Sequence, residues 1–263
     1  MAGRIYVDTQ CTGGSEMTKV EICCGSYEDC IRADQNGADR VELNSALFLG
    51  GLTPSAGTVE KVLAKCRIPV ICMVRPRGAG FCYSPDEKEI MFTDAKIMLD
   101  MGCQGIAFGF LNPDRSIDYE STKKMIDLIH SYPSRREAVF HRAVDCVANV
   151  DQVMQSLIEF GCDRVLTSGG KNTALEGMDR IKYLQNEYGN QIQILAGSGI
   201  NKDNVIALLA ETQISQVHSS AKVWHDDPTT KTDDVSYAYH DDFDYDVVSP
   251  LKVAELVRTV NYK

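Results

Sequence analysis

Eight short apolar runs alternate along the chain with amphipathic stretches, and this alternation limits the fold more than any other feature. Four runs lie in the first half: Val20-Glu21-Ile22-Cys23, Arg40-Val41-Glu42-Leu43, Val70-Ile71-Cys72-Met73-Val74 and Gly105-Ile106-Ala107-Phe108. Four follow: Ala138-Val139-Phe140-His141, Arg164-Val165-Leu166-Thr167, Ile192-Gln193-Ile194-Leu195 and Gln216-Val217-His218. Runs of this length and composition read as buried strands. The stretches between them carry apolar residues at helical spacing, as at Val150, Val153, Met154, Leu157 and Ile158. Strands joined through helices run parallel, and eight such units predict a single-domain α/β fold, the (β/α)8 TIM barrel. An open doubly wound sheet is the competing arrangement.

The joints repeat as well. Gly37-Ala38-Asp39-Arg40-Val41 and Gly161-Cys162-Asp163-Arg164-Val165 share a pattern, and Gly102-Cys103-Gln104-Gly105-Ile106 is a looser copy. In each, a helix is expected to end on a glycine in the left-handed region, with an apolar strand soon after. The chain has 263 residues, 44% of them hydrophobic, which suffices for one such barrel and shows no compositional break between two domains. The barrel is expected over residues 17–263. Residues 1–16 lack the apolar core of a signal peptide and are expected to be a disordered extension or added tail, with Met17 as an internal start.

Strand residues alternate between the barrel interior and the helix layer, and chemistry in this fold gathers at the C-terminal strand ends. Parity then aims Glu21 and Cys23 inward on strand one, Glu42 and Asn44 on strand two, and Met73 and Arg75 on strand three. His141 ends strand five, Thr167 and Ser168 end strand six, and His218 ends strand eight. Buried charges need partners, and the structural alternative to a catalytic role is that Glu21, Glu42 and Arg75 pair with one another as struts. Glu21, Glu42, Arg75, His141 and His218 are the candidate catalytic set, because acids, bases and a cation at five strand ends exceed what core filling requires. After strands seven and eight, Gly197, Ser198, Gly199, Ser219 and Ser220 are the candidate anion site, where backbone N–H groups converge on a charged oxygen.

The net charge of −10 is concentrated: from His225 to Asp246 there are eight Asp and one Lys. The residues 225–248 are expected to be a solvated excursion before a last helix near Ser249-Pro250, although its Asp, His225 and His240 are also ligand types for hard divalent ions. An acidic chain without a basic stripe excludes nucleic acid as a partner, and no apolar run approaches membrane-spanning length. Ten cysteines with no Cys-x-x-Cys pair read as reduced thiols in a cytoplasmic protein, with Cys66, Cys103 and Cys162 as small buried hydrophobes.

These residues resemble a known family. Val20 to Cys23, Gly37 to Leu43, Gly50-Gly51-Leu52-Thr53-Pro54-Ser55, Met73-Val74-Arg75-Pro76-Arg77-Gly78, Phe140-His141-Arg142-Ala143, Leu166-Thr167-Ser168-Gly169 and Val217-His218-Ser219-Ser220-Ala221 are similar to the copper homeostasis protein CutC family, collinear from about Lys19 to Trp224. The resemblance implies a TIM barrel, a cytoplasmic location, a homo-oligomer and a role in copper tolerance through Cu(I). It also implies a cysteine at the ends of strands one and two. Cys23 matches the first, whereas Asn44, a hard amide, holds the second. Cys24 faces the opposite way on its strand. Cys23 and Met73 are therefore the candidate soft ligands, with His141 or His218 as a third. The alternative function is an isomerase, lyase or hydrolase acting on a small phosphorylated or carboxylated metabolite. There the Gly/Ser loops would hold the anion, Arg75 would stabilise developing charge, and His141 with Glu21 or Glu42 would move protons.

Overall fold

The computed structural model describes residues 17–240 and 244–261, so the expected extension at 1–16 lies outside the described residues. The chain alternates β1 (Lys19–Cys24), α1 (Tyr27–Gln35), β2 (Arg40–Leu43), α2 (Ala56–Leu63), β3 (Val70–Met73), α3 (Pro85–Met101), β4 (Gly105–Phe108) and α4 (Tyr119–His130). It continues through β5 (Glu137–Phe140), α5 (Val150–Glu159), β6 (Arg164–Thr167), α6 (Met178–Tyr188), β7 (Gln193–Ala196), α7 (Val205–Thr212) and β8 (Gln216–Ser219). Each of the eight runs read from the sequence is a strand, displaced by at most one residue at either end. β1 pairs in parallel with both β2 and β8, which closes the barrel and rules out the open sheet.

Local chemistry sets the helix limits. Ser84 and Glu87 form a reciprocal capping box on α3, with Pro85 in the first turn, where its missing N–H costs nothing. Gly37, Gly102 and Gly161 end α1, α3 and α5 with φ of +90°, +103° and +78°, as the repeated joint predicts. On α5 the predicted stripe buries Val153, Met154 and Leu157.

Two layers of side chain result. Outward strand residues such as Ile22, Val41, Leu43, Ile106 and Val217 pack with the helices into the main core, and Cys24, Cys103 and Cys162 are buried there as small hydrophobes. Cys66 is only half-buried. The inward residues form a much smaller apolar cluster, Ile71, Met73, Ala107 and Val139. The rest of the interior is polar. Arg164, 1% exposed, donates from Nη2 to Glu137 (2.8 Å) and from Nε to Gln193 (3.2 Å) and Gln216 (3.1 Å). Arg40 reaches Gln216 (3.0 Å) and forms an ion pair with Glu21.

The acidic excursion is more ordered than expected. Its flanks form an antiparallel ribbon, β9 (Lys222–His225) with β10 (Tyr245–Val248), tied to α1 where Val248 N–H donates to Asp29 (2.8 Å). Asp244 is buried (4% exposed), accepting from Asp227 N–H and pairing with Lys231 at 3.1 Å, so this part of the excursion is folded and only partly solvated. α8 (Pro250–Asn261) follows where the sequence placed it.

Candidate functional site

A cavity of about 420 Å³ opens at the C-terminal strand ends, and nine predicted site residues line it: Cys23, Glu42, Met73, Arg75, His141, Ser198, Gly199, His218 and Ser220. Three others do not. Glu21 is buried and meets the cavity only through its hydrogen bond to His218. Gly197 serves packing, since a Cβ there would meet Leu166 at 2.7 Å. Ser219 turns away, donating to Ile200 O (2.6 Å), and lines a separate cavity of about 310 Å³ against α8. Phe81, Arg142, Lys222 and Asp246 also line the mouth. Lys222 and Asp246 arrive together only because β9 pairs with β10, which brings their charges to 3.5 Å.

The strut pairing among Glu21, Glu42 and Arg75 is not formed. Glu21 instead spans Arg40 and His218, accepting from His218 Nδ1 at 2.7 Å. Arg75 donates to three backbone carbonyls, Leu49 (2.9 Å) and Gly51 (3.0 Å) from Nη1 and Ala79 (2.6 Å) from Nη2, clasping the loops after β2 and β3. The neighbour across the strand, Arg40 in register with Glu21, was closer than the next cation along the rim.

On the β8–β1–β2 side, Cys23 Sγ, a Glu42 oxygen and a His218 nitrogen lie within 4.8 Å of one another. Asn44 Nδ2 donates to Glu42 Oε2 (2.9 Å) and approaches Cys23 Sγ (3.5 Å). Burial opposes charge on His218, but the Glu21 hydrogen bond and the charges of Glu42 and Glu21 outweigh it and raise its pKa. Burial raises Glu42, and Glu21 adds to this against the opposing pull of His218. Glu21 is held well below the carboxylate range by Arg40 and His218 despite its burial. The Cys23 thiol is pushed well up by burial and by the charges of Glu42 and Glu21. The Cys23 thiol, the Glu42 carboxyl and the His218 imidazole are thus all shifted toward their protonated forms.

On the β3–β5 side, His141 follows β5 and accepts Ala143 N–H at Nδ1 (3.1 Å), which leaves the ring proton on Nε2. Burial and the Arg75 charge depress its pKa to about 3, so the ring is neutral.

The CutC family model matches residues 18–223. A CutC family protein of Treponema denticola is 43% identical over 219 residues, 83% of this chain and 87% of its own length. One from Glaesserella parasuis is 38% identical, covering 78% and 82% of the two chains. A crystal structure from Streptococcus agalactiae, described as a copper homeostasis protein CutC, superposes with a TM-score of 0.72 at 29% identity, over 78% of this chain and 99% of the other.

Proposed function

Because this chain belongs to the CutC family, we propose that it serves copper homeostasis by holding one Cu(I) ion, as cargo, between Cys23 and His218. One observation carries the reading: the ligand atoms of Cys23, Glu42 and His218 are within reach of a single ion. Thiolate and imidazole are donors that Cu(I) accepts, and the Met73 thioether lines the same cavity. Glu21 on Nδ1 orients the ring with Nε2 toward Glu42, the carboxylate-behind-histidine arrangement that supports metal-bound imidazoles. Asn44 supplies hydrogen-bond donors where the family resemblance implies a second thiol, so this site has one thiolate. Among the described residues nine cysteines are unpaired, which supports a reducing, cytoplasmic setting. No described helix is long and apolar enough to cross a membrane. Assembly into a homo-oligomer belongs to the same proposal, and light scattering checks it.

Binding must displace the proton that burial and the neighbouring carboxylates hold on the Cys23 thiol, and any proton carried by His218 Nε2. Affinity is therefore expected to rise with pH, by up to ~100-fold per unit where two protons leave. Titration of the reduced protein with Cu(I) against a chelating competitor, from about pH 6 to about pH 8, measures this. Cys23→Ser is expected to abolish competition. Equal affinity in Cys23→Ser and the parent, or an affinity flat in pH, overturns the proposal.

A further inference from the structure

We propose that the β3–β5 side of the mouth is a second site, which takes a small organic oxyanion, a carboxylate or a phosphate ester, independently of copper. Two buried donors carry the argument. His141 is 3% exposed, and its Nε2–H has no hydrogen-bond partner. Arg75 is 5% exposed; its Nη atoms are spent on carbonyls, and its Nε–H is left unsatisfied, with the equally unsatisfied Tyr83 hydroxyl close to the guanidinium. Both side chains flank Phe81, with the His141 ring 5.0 Å and the Arg75 guanidinium 5.2 Å from the Phe81 ring. Buried N–H groups without acceptors are uncommon and costly, and a buried cation costs more when no carboxylate faces it. Arg75 has no carboxylate in ion-pair contact among the described residues. A single anionic oxygen would satisfy the cation and the neutral His141 donor together.

The rest of the cavity defines what carries that oxygen. At about 420 Å³ it is far larger than an ion needs and falls within the range of small-molecule sites. Leu47, Met73 and Leu166 give it apolar walls, which suits an organic body. Ser198, Gly199 and Ser220 line the same cavity, and their backbone N–H groups donate to no acceptor among the described residues. Ser198 holds φ at +81°, a left-handed conformation that a non-glycine residue rarely adopts, with its hydroxyl tied to Asn172 O (2.6 Å). That strain turns the loop after β7 so that Ser198 and Gly199 line the cavity.

The test is thermal denaturation of the reduced, metal-free full chain with phenylphosphate, benzoate, or phenol as the uncharged control, at matched ionic strength. A saturable rise in Tm with either anion and none with phenol is expected; benzoate alone marks a carboxylate site and phenylphosphate alone a phosphate site. His141→Phe keeps a ring against Phe81 and is expected to weaken anion binding about tenfold. The anion is tested on metal-free protein and read by Tm, and copper by competition against a chelator, so failure here and failure of the copper reading are distinguishable. As a measurement free of mutation, the ¹⁵N resonance of His141 Nε2 in the parent protein is expected to shift on adding the stabilising anion. No stabilisation by either anion, equal stabilisation by phenol, full affinity in His141→Phe, or an unmoved Nε2 resonance overturns the site.

Discussion

His218 and His141 occupy the same cavity, yet their surroundings push them in opposite directions. His218 rests on Glu21 and faces Glu42, so its pKa is raised, while His141 sits near Arg75 and is depressed to about 3. An unfolded histidine takes its proton near 6.5. The neutral folded His141 therefore contributes stability that is present above about pH 6.5 and is lost as pH falls toward 3. The slope is that of one proton, about 1.4 kcal/mol per pH unit. Urea unfolding between about pH 7 and about pH 4 is expected to show it, and His141→Gln is expected to remove that component. The sign for His218 is reversed: its contribution is full below the unfolded value and fades as pH rises through the folded one. Strand parity placed Glu42, Cys23 and Met73 at the mouth without knowledge of any partner. It could not say that Glu21 would be claimed by Arg40, because parity gives the face of a residue and not its depth or its neighbour on the next strand.

The repeated joint acquires a physical role at the level of the element. Asp39, after α1, accepts Val20 N–H at 2.8 Å and donates its own N–H to Val20 O, stitching β2 to the start of β1. Asp163, after α5, does the same to Ala138 of β5, with the side-chain bond at 2.8 Å. In the looser copy Gln104 performs the same service for Val70 of β3. Asp39→Ala and Asp163→Ala are each expected to cost about 1–2 kcal/mol. The double variant is expected to lose their sum, since the two stitches lie on well-separated strand pairs. Chemical denaturation of the three variants checks both statements. The pattern was visible in the sequence as punctuation between helix and strand; that its acidic residue reaches back to the preceding strand depends on which strands become neighbours. The ribbon of β9 and β10 had no comparable signal. Its strands are 4 residues each, and long Asp-rich stretches favour turns wherever no tertiary partner overrides them.

Across the whole molecule, the interior divides into an apolar arc on β3–β5 and a charged network running from Glu137 through Arg164, Gln193 and Gln216 to Arg40, Glu21 and His218. This network fills the lower barrel where most strand interiors would place branched aliphatics. Arg164→Met is expected to destabilise by roughly 1–3 kcal/mol, because it leaves the partly buried Glu137 without its ion-pair partner while Gln193 and Gln216 keep one donor each, and equilibrium unfolding measures it. The lattice also anchors the site: Arg40 steadies Glu21, and Glu21 steadies His218. The sequence by itself determined the eight alternating units, the strand limits to within one residue and most of the side chains that face the mouth, while closure of the barrel was settled by the pairing of β1 with β8. The first three follow from periodicity, which a chain carries locally. Only the tertiary structure decided that Arg75 clasps carbonyls and has no carboxylate partner among the described residues, that Ser198 and Ser220 line the cavity while Ser219 and Gly197 do not, and that Lys222 meets Asp246 over the cavity. The reason is common to all three. A charge or a donor takes the partner nearest in space, and barrel closure brings together residues as far apart in the chain as Glu21 and His218.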